Sequence, residues 1–176
     1  KDGLLDGEGI SYYENGKVKK EGTFKDGYLM GPGKYFYKNG NLEAEGTFKD
    51  DELNGEGKEY YYKDGNLKKE GTFKEGWLNG EGKEYHKNGN LKKEGTFKKG
   101  WLNGEGKKYY YNGNLKEEGT FKDDLLNGEG TTYYEDGKIN QEGTFENGYF
   151  SDNSLFGNIL QILIIIFIIY ICFKYL

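Results

Sequence analysis

The chain of 176 residues contains no arginine, and only one cysteine, one proline and one histidine. Without arginine there is no forked guanidinium to clamp a phosphate or carboxylate, which leaves lysine or backbone amides for any anion site. Cys172 has no partner for an internal disulfide. A nucleophile needs a base and an orienting third group, yet His86 stands alone and Ser11 is the only serine in the strand segments, three repeats away. Carboxylates recur at equivalent places in every repeat, a pattern foreign to a catalytic pair. The acidic runs Asp50-Asp51-Glu52 and Asp123-Asp124 lack the ligand spacing of a calcium loop. The Gly-X-Gly steps are followed by neither a Gly-Lys-Ser step nor a helix, so they are not phosphate loops. No catalytic residue, cofactor site or metal site is expected.

Positive charge is also in deficit. Lys174 lies in the C-terminal tail and every acid precedes it, leaving 24 lysines against 30 acids upstream. That sign argues against nucleic acid as a partner.

What is present is periodicity. Glu-Gly-Thr-Phe begins at Glu21, Glu45, Glu70, Glu94, Glu118 and Glu142, a spacing of 24 interrupted once by 25. Gly-X-Gly keeps the same rhythm from Gly7, Gly31, Gly55, Gly80, Gly104 and Gly128, and so does an Asn-Gly or Asp-Gly step from Asn15, Asn39, Asp64, Asn88, Asn112 and Asp136. Periods of this length belong to repeat architectures. An aromatic-rich run precedes each Asn-Gly, and a second run ending in Phe follows it, so each unit reads as two strands around a type I′ turn.

With Asn15 and Gly16 as the loop, Tyr13 faces Val18, Tyr12 faces Lys19, Gly9 faces Gly22 and Gly7 faces Phe24. The third unit has one extra residue, which a three-residue loop of Lys63, Asp64 and Gly65 absorbs, so that Tyr61 faces Leu67 and Gly57 still faces Gly71. Alternation then gives an apolar face of Tyr13, Val18, Phe24 and their equivalents, with His86 in the tyrosine position of its unit. The other face is amphipathic. It carries Tyr12, Phe36, Tyr60, Tyr85, Tyr109 and Tyr133 beside Lys19, Lys68, Lys92 and Lys116, the candidate binding surface. The register also sets Lys34 opposite Glu45, Lys58 opposite Glu70, Lys83 opposite Glu94 and Lys107 opposite Glu118. The expected fold is all-β: an elongated, single-layer antiparallel meander of six hairpin repeats over residues 1–150, roughly 58 Å long at ~4.8 Å per strand.

The units resemble MORN repeats, which combine an aromatic-rich strand, a Glu-Gly-X-aromatic step, a Gly-containing turn and a Gly-X-Gly step. One such run reads Glu70-Gly71-Thr72-Phe73, Lys74-Glu75-Gly76 and Leu78-Asn79-Gly80-Glu81-Gly82. The tyrosine that often precedes Glu-Gly in that family is Lys20, Ala44, Lys69, Lys93, Glu117 or Gln141 here, closer to its bacterial variant. The resemblance implies a binding fold, and it spans membrane-contact scaffolds, modules fused to enzymes and variants labelled as antitoxins. Lys1–Gly7 match the inter-hairpin segment Lys25–Gly31, so the array starts in mid-repeat and further repeats are expected upstream.

Composition changes at about residue 150. After a linker at 151–154, residues 155–173 carry no charge, with a short tail at 174–176. The segment is near the length of a bilayer span, and its run of Leu, Ile and Phe favours insertion by about 5 kcal/mol. A single-pass transmembrane helix anchored through Leu155, Ile162, Ile166 and Phe173 is expected. Lys174 and Asp152 favour a cytoplasmic C-terminus and an extracytoplasmic repeat domain, with a tail anchor carrying cytoplasmic repeats as the alternative. The expected function is a non-enzymatic, membrane-anchored module for binding or scaffolding a protein partner. Lipid headgroups are the rival ligand, and an antitoxin-like or enzyme-associated role would depend on an upstream region.

Overall fold

The computed structural model describes residues 3–151 and Ile166. Among the described residues, thirteen strands form one antiparallel sheet in sequence order. They are β1 (Gly7–Tyr12), β2 (Val18–Lys25), β3 (Tyr28–Phe36), β4 (Leu42–Lys49), β5 (Glu52–Tyr60), β6 (Leu67–Lys74), β7 (Trp77–Tyr85), β8 (Leu91–Lys98), β9 (Trp101–Tyr109), β10 (Leu115–Lys122), β11 (Leu125–Tyr133), β12 (Ile139–Glu146) and β13 (Tyr149–Phe150). The meander expected from the repeat is present, with β13 added at its end.

Two kinds of turn alternate, and they differ from the expectation. The type I′ geometry lies between hairpins, where both loop residues have positive φ, as at Asp26 (48°) and Gly27 (84°). The Asn-Gly loops are longer. Tyr13 N–H donates to the Lys17 carbonyl at 2.8 Å and Gly16 N–H to the Tyr13 carbonyl at 2.9 Å, enclosing Glu14, Asn15 and Gly16. Only Gly16 of these has positive φ. The asparagine instead accepts the Lys17 N–H through its side-chain oxygen at 3.1 Å. In the third unit Tyr61 and Asn66 close a loop of four residues, one more than predicted, because the whole series is one longer.

A β-bulge in each hairpin takes up that extra residue. Tyr12 pairs with Val18 and Ser11 with Lys20, leaving Lys19 unopposed. Glu43, Lys68, Lys92, Lys116 and Asn140 occupy the same place in later hairpins. Beyond the bulge the predicted register holds: Gly9 faces Gly22, Gly57 faces Gly71 and Lys58 faces Glu70.

A second irregularity builds the core. Between β2 and β3, Gly22 faces Gly33 but Phe24 faces Leu29, so Thr23 opposes three residues centred on Gly31. The bend swings the leucine over the glycine row. Leu29, Leu53, Leu78, Leu102 and Leu126 are thereby buried against Phe24, Phe48, Phe73, Phe97, Phe121 and Phe145. Each such Phe or Leu contributes about 1.5–3 kcal/mol of burial. Tyr13 and Val18, expected in this core, lie beside the hairpin loop and are only half-buried. Close backbone approach forces glycine at Gly71. A Cβ there would sit 2.6 Å from the Cα of Gly82, across the β6–β7 boundary rather than toward Gly57.

Among the described residues no helix is long and apolar enough to cross a membrane. Leu155, Ile162 and Phe173 of the expected anchor lie outside them; Ile166, the one anchor residue described, is helical and exposed.

Candidate functional site

The aromatic and lysine residues predicted as one surface occupy two. Alternation from Lys58 places Tyr60 on the Glu-Lys face, where its hydroxyl donates to Glu45 at 2.6 Å. Tyr85 donates likewise to Glu70, Tyr109 to Glu94 and Tyr133 to Glu118. These tyrosines and Phe36 are half-buried, and of the predicted row only Tyr12 is exposed, at 59%. Lys68, sitting on the bulge, points to the opposite face, where it and Lys69 reach Glu59 at 3.4 and 3.3 Å. Lys92 pairs with Glu84 at 2.8 Å and Lys116 with Glu117 at 3.3 Å in the same manner, and Lys19 lies over the Tyr13 ring at 5.8 Å. One unopposed residue shifts the alternation and turns the lysines away from the tyrosines.

On the Glu-Lys face a groove of about 1130 Å³ runs across β4 to β10. Its floor is peptide at the paired glycines: Gly46 and Gly57, Gly71 and Gly82, Gly95 and Gly106, then Gly119. One wall alternates Glu45, Glu70, Glu94 and Glu118 with Lys58, Lys83 and Lys107. The other carries Glu56, Glu81 and Glu105 with threonines and no lysine. Thr72 donates to Glu56 at 2.7 Å, Thr96 to Glu81 and Thr120 to Glu105 at 2.6 Å, and among the described residues the second oxygen of each carboxylate makes no hydrogen bond.

The electrostatics of the two walls differ. Burial, reinforced by the hydrogen bond to a glutamate, pushes the hydroxyls of Tyr60, Tyr85 and Tyr109 well above the usual tyrosine range. They stay protonated and act as donors. The Tyr133 hydrogen bond, with help from Lys107, holds Glu118 below the usual carboxylate range. The first wall thus pairs its glutamates with tyrosine hydroxyls and joins Lys58 to Glu70 at 3.8 Å and Lys107 to Glu118 at 3.1 Å, whereas the second carries one carboxylate per repeat and no lysine.

The opposite face is an ionic row laid over the core. Lys20, only 8% exposed, bonds Asp51 at 2.6 Å, and Lys93 bonds Asp124. Burial opposes the Lys20 charge, but Asp51 and Tyr35 outweigh it and raise its pKa. Asp51 and Asp124, in turns considered for calcium, instead accept backbone N–H groups of Leu29 and Leu102 at 2.8 Å. Among the described residues no cluster of three or more His, Cys, Asp or Glu side chains is placed to hold a metal. His86 keeps its row: Nε2 lies 3.3 Å from the Tyr109 carbonyl and the ring meets Tyr111 edge-on.

Two features escaped the sequence reading. The core leucines recur in phase with the repeat, a signal that was available. An exposed row, Leu4, Tyr28, Trp77, Trp101, Leu125 and Tyr149, follows the inter-hairpin turns. It too recurs in phase, apart from Glu52 in the third unit, and unlike the Tyr12 series it is exposed.

No curated protein matches the chain. The MORN repeat variant matches residues 5–26, 53–75, 78–99, 102–123 and 126–147, and the MORN repeat matches residues 21–42. With most of the strand-forming region covered by these units, the chain belongs to the MORN repeat family.

Proposed function

We propose that the protein is a non-enzymatic, membrane-anchored binding module whose groove holds an extended, cationic segment of a protein partner. The observation that carries this reading is the wall of Glu56, Glu81 and Glu105, one threonine-braced carboxylate per repeat above a peptide floor. Two strands separate successive carboxylates, about 9.6 Å. A polyproline II chain brings every third side chain back to one side after about 9.3 Å. A segment with lysine or arginine at every third residue therefore meets one glutamate per turn. MORN repeats commonly serve membrane, lipid or protein binding, and an acidic wall fits a cationic protein segment better than an anionic headgroup.

Anchoring rests on the uncharged stretch at 155–173, with the repeats on the extracytoplasmic side and the C-terminus cytoplasmic. Such a tether would hold the partner at the membrane surface. The test is a peptide series titrated against the full chain in neutral nanodiscs, with lysine at every third or every second position of an otherwise proline-rich peptide. The spacing of three binds more tightly at equal charge. Equal affinity across the series would contradict the groove reading, and preference for anionic nanodiscs over any peptide would favour lipid.

A further inference from the structure

The ionic row is interrupted at Ala44. After the residue that opens the second strand of each hairpin, three units carry two lysines: Lys19-Lys20, Lys68-Lys69 and Lys92-Lys93. The second unit carries Glu43-Ala44 at this point. Where lysine is present, its stem covers the core and its ammonium finds an acid and a ring: Lys20 reaches Asp51 and lies 5.1 Å from the Tyr35 ring centre. Lys69 reaches Glu59 and the Trp77 ring, and Lys93 reaches Asp124 and the Trp101 ring.

Truncation to alanine leaves a cavity of about 240 Å³ at Ala44, lined by Tyr35, Tyr37, Glu43, Phe48 and the ion-paired Asp51, Glu59 and Lys68 among others, so that Glu43 is the half-buried carboxylate of this wall without an ion pair among the described residues. We propose that this cavity binds an alkylammonium group, supplied as a lysine side chain of a partner or as a free primary amine. Its hydrocarbon chain lies along Ala44 and Phe48, and its ammonium meets Glu43 and the tyrosine faces. The array itself supplies the template, since a lysine side chain fills the same register position in three other units.

The wall chemistry is that of a cation site. Glu43 reverses the charge found at Lys19, Lys68 and Lys92 and makes no ion pair among the described residues. Its carboxyl is pushed up by burial first and by Glu59 second, only partly relieved by Lys68. A half-buried carboxylate outside any ion pair gains when a cation docks on it, and an aromatic face adds to that attraction. Tyr37 is held in place by its hydrogen bond to the Tyr60 carbonyl at 2.8 Å and its edge contact with Tyr62.

This site lies on the face opposite the groove, so it stands or falls independently of the groove reading. The full chain in detergent micelles is titrated with n-butylammonium, with a blocked Gly-Lys-Gly peptide and with n-butanol, following the tyrosine ring signals by NMR. Saturable binding is expected for at least one of the two cations, with butanol at least tenfold weaker. The peptide binding more tightly identifies a partner's lysine, and butylammonium binding as tightly or more tightly identifies a free amine. Ala44→Lys, which restores the residue found at Lys20, Lys69 and Lys93, abolishes binding while keeping the fold, and Glu43→Gln weakens it at least fivefold. No saturable binding by either cation, binding of butanol as tight as that of the cations, or full binding by Ala44→Lys would overturn the proposal.

Discussion

The Tyr37 hydroxyl donates to the backbone carbonyl of Tyr60 at 2.8 Å, tying one hairpin to the next. Tyr13, Tyr61 and Tyr110 repeat the contact with Phe36, Tyr85 and Tyr133 at 2.6–2.8 Å. His86 fills the place between Tyr61 and Tyr110 with a longer 3.3 Å approach to the Tyr109 carbonyl. Substituting His86→Tyr is therefore expected to stabilise the array by about 0.5–1.5 kcal/mol, the net worth of a hydrogen bond. Chemical denaturation measures the change, and a loss of stability would show that the histidine is held by something other than this row.

Glycine pairing makes a sharper mutational contrast. Gly71 has φ near 136° and no room for a Cβ against Gly82, so Gly71→Val should cost on the order of 4 kcal/mol or more. Asp64→Asn preserves the side-chain oxygen that accepts the Asn66 N–H at 3.2 Å and should stay within about 0.5 kcal/mol of the parent. Denaturant midpoints of the two variants compare them directly. Similar small effects would mean that the strand register is wrong.

Alkaline pH should loosen the array. Burial and the glutamate bonds raise Tyr60, Tyr85 and Tyr109 in the folded state above the value near 10 of an unfolded chain. The unfolded state then releases protons first. Stability from these groups is complete below pH about 10 and declines as pH rises toward their folded values. Thermal melts between pH 8 and 11 should show this decline, and it should shrink in Glu70→Gln, which weakens the bond to Tyr85. A flat profile would contradict the assigned tyrosine–glutamate pairs.

The uncharged stretch at 155–173 predicts that the full chain stays with the membrane pellet after carbonate extraction. Release into the supernatant would remove the anchor from the account.

The strand order and the glycine register were legible in the sequence because three markers recur in phase and glycine tolerates no substitute where strands approach closely. Turn type was not. Asn-Gly is compatible with both a two-residue and a three-residue loop, and the backbone closure between Tyr13 and Lys17, with the Asn15 side-chain oxygen bonded to Lys17, distinguishes them. That single residue decided the candidate surface, since the compensating bulge at Lys19, Lys68, Lys92 and Lys116 separates the lysines from the tyrosines. The groove was partly legible: the Lys58–Glu70 and Lys107–Glu118 pairings follow from the register. The braced wall of Glu56, Glu81 and Glu105 follows from the same pairing with threonine, but its significance depends on the width left by the glycine floor.

The central claim is that these three glutamates form the partner-binding wall. Glu56, Glu81 and Glu105 are changed together to glutamine, which keeps the carbonyl oxygen that accepts each threonine hydroxyl and removes the charge. Affinity of the full chain for the peptide with lysine at every third position is then measured by fluorescence anisotropy at low and high salt. At about 0.5–1 kcal/mol per exposed pair, affinity should fall roughly tenfold or more and its salt dependence should flatten. Unchanged affinity, with the fold intact, would contradict the claim.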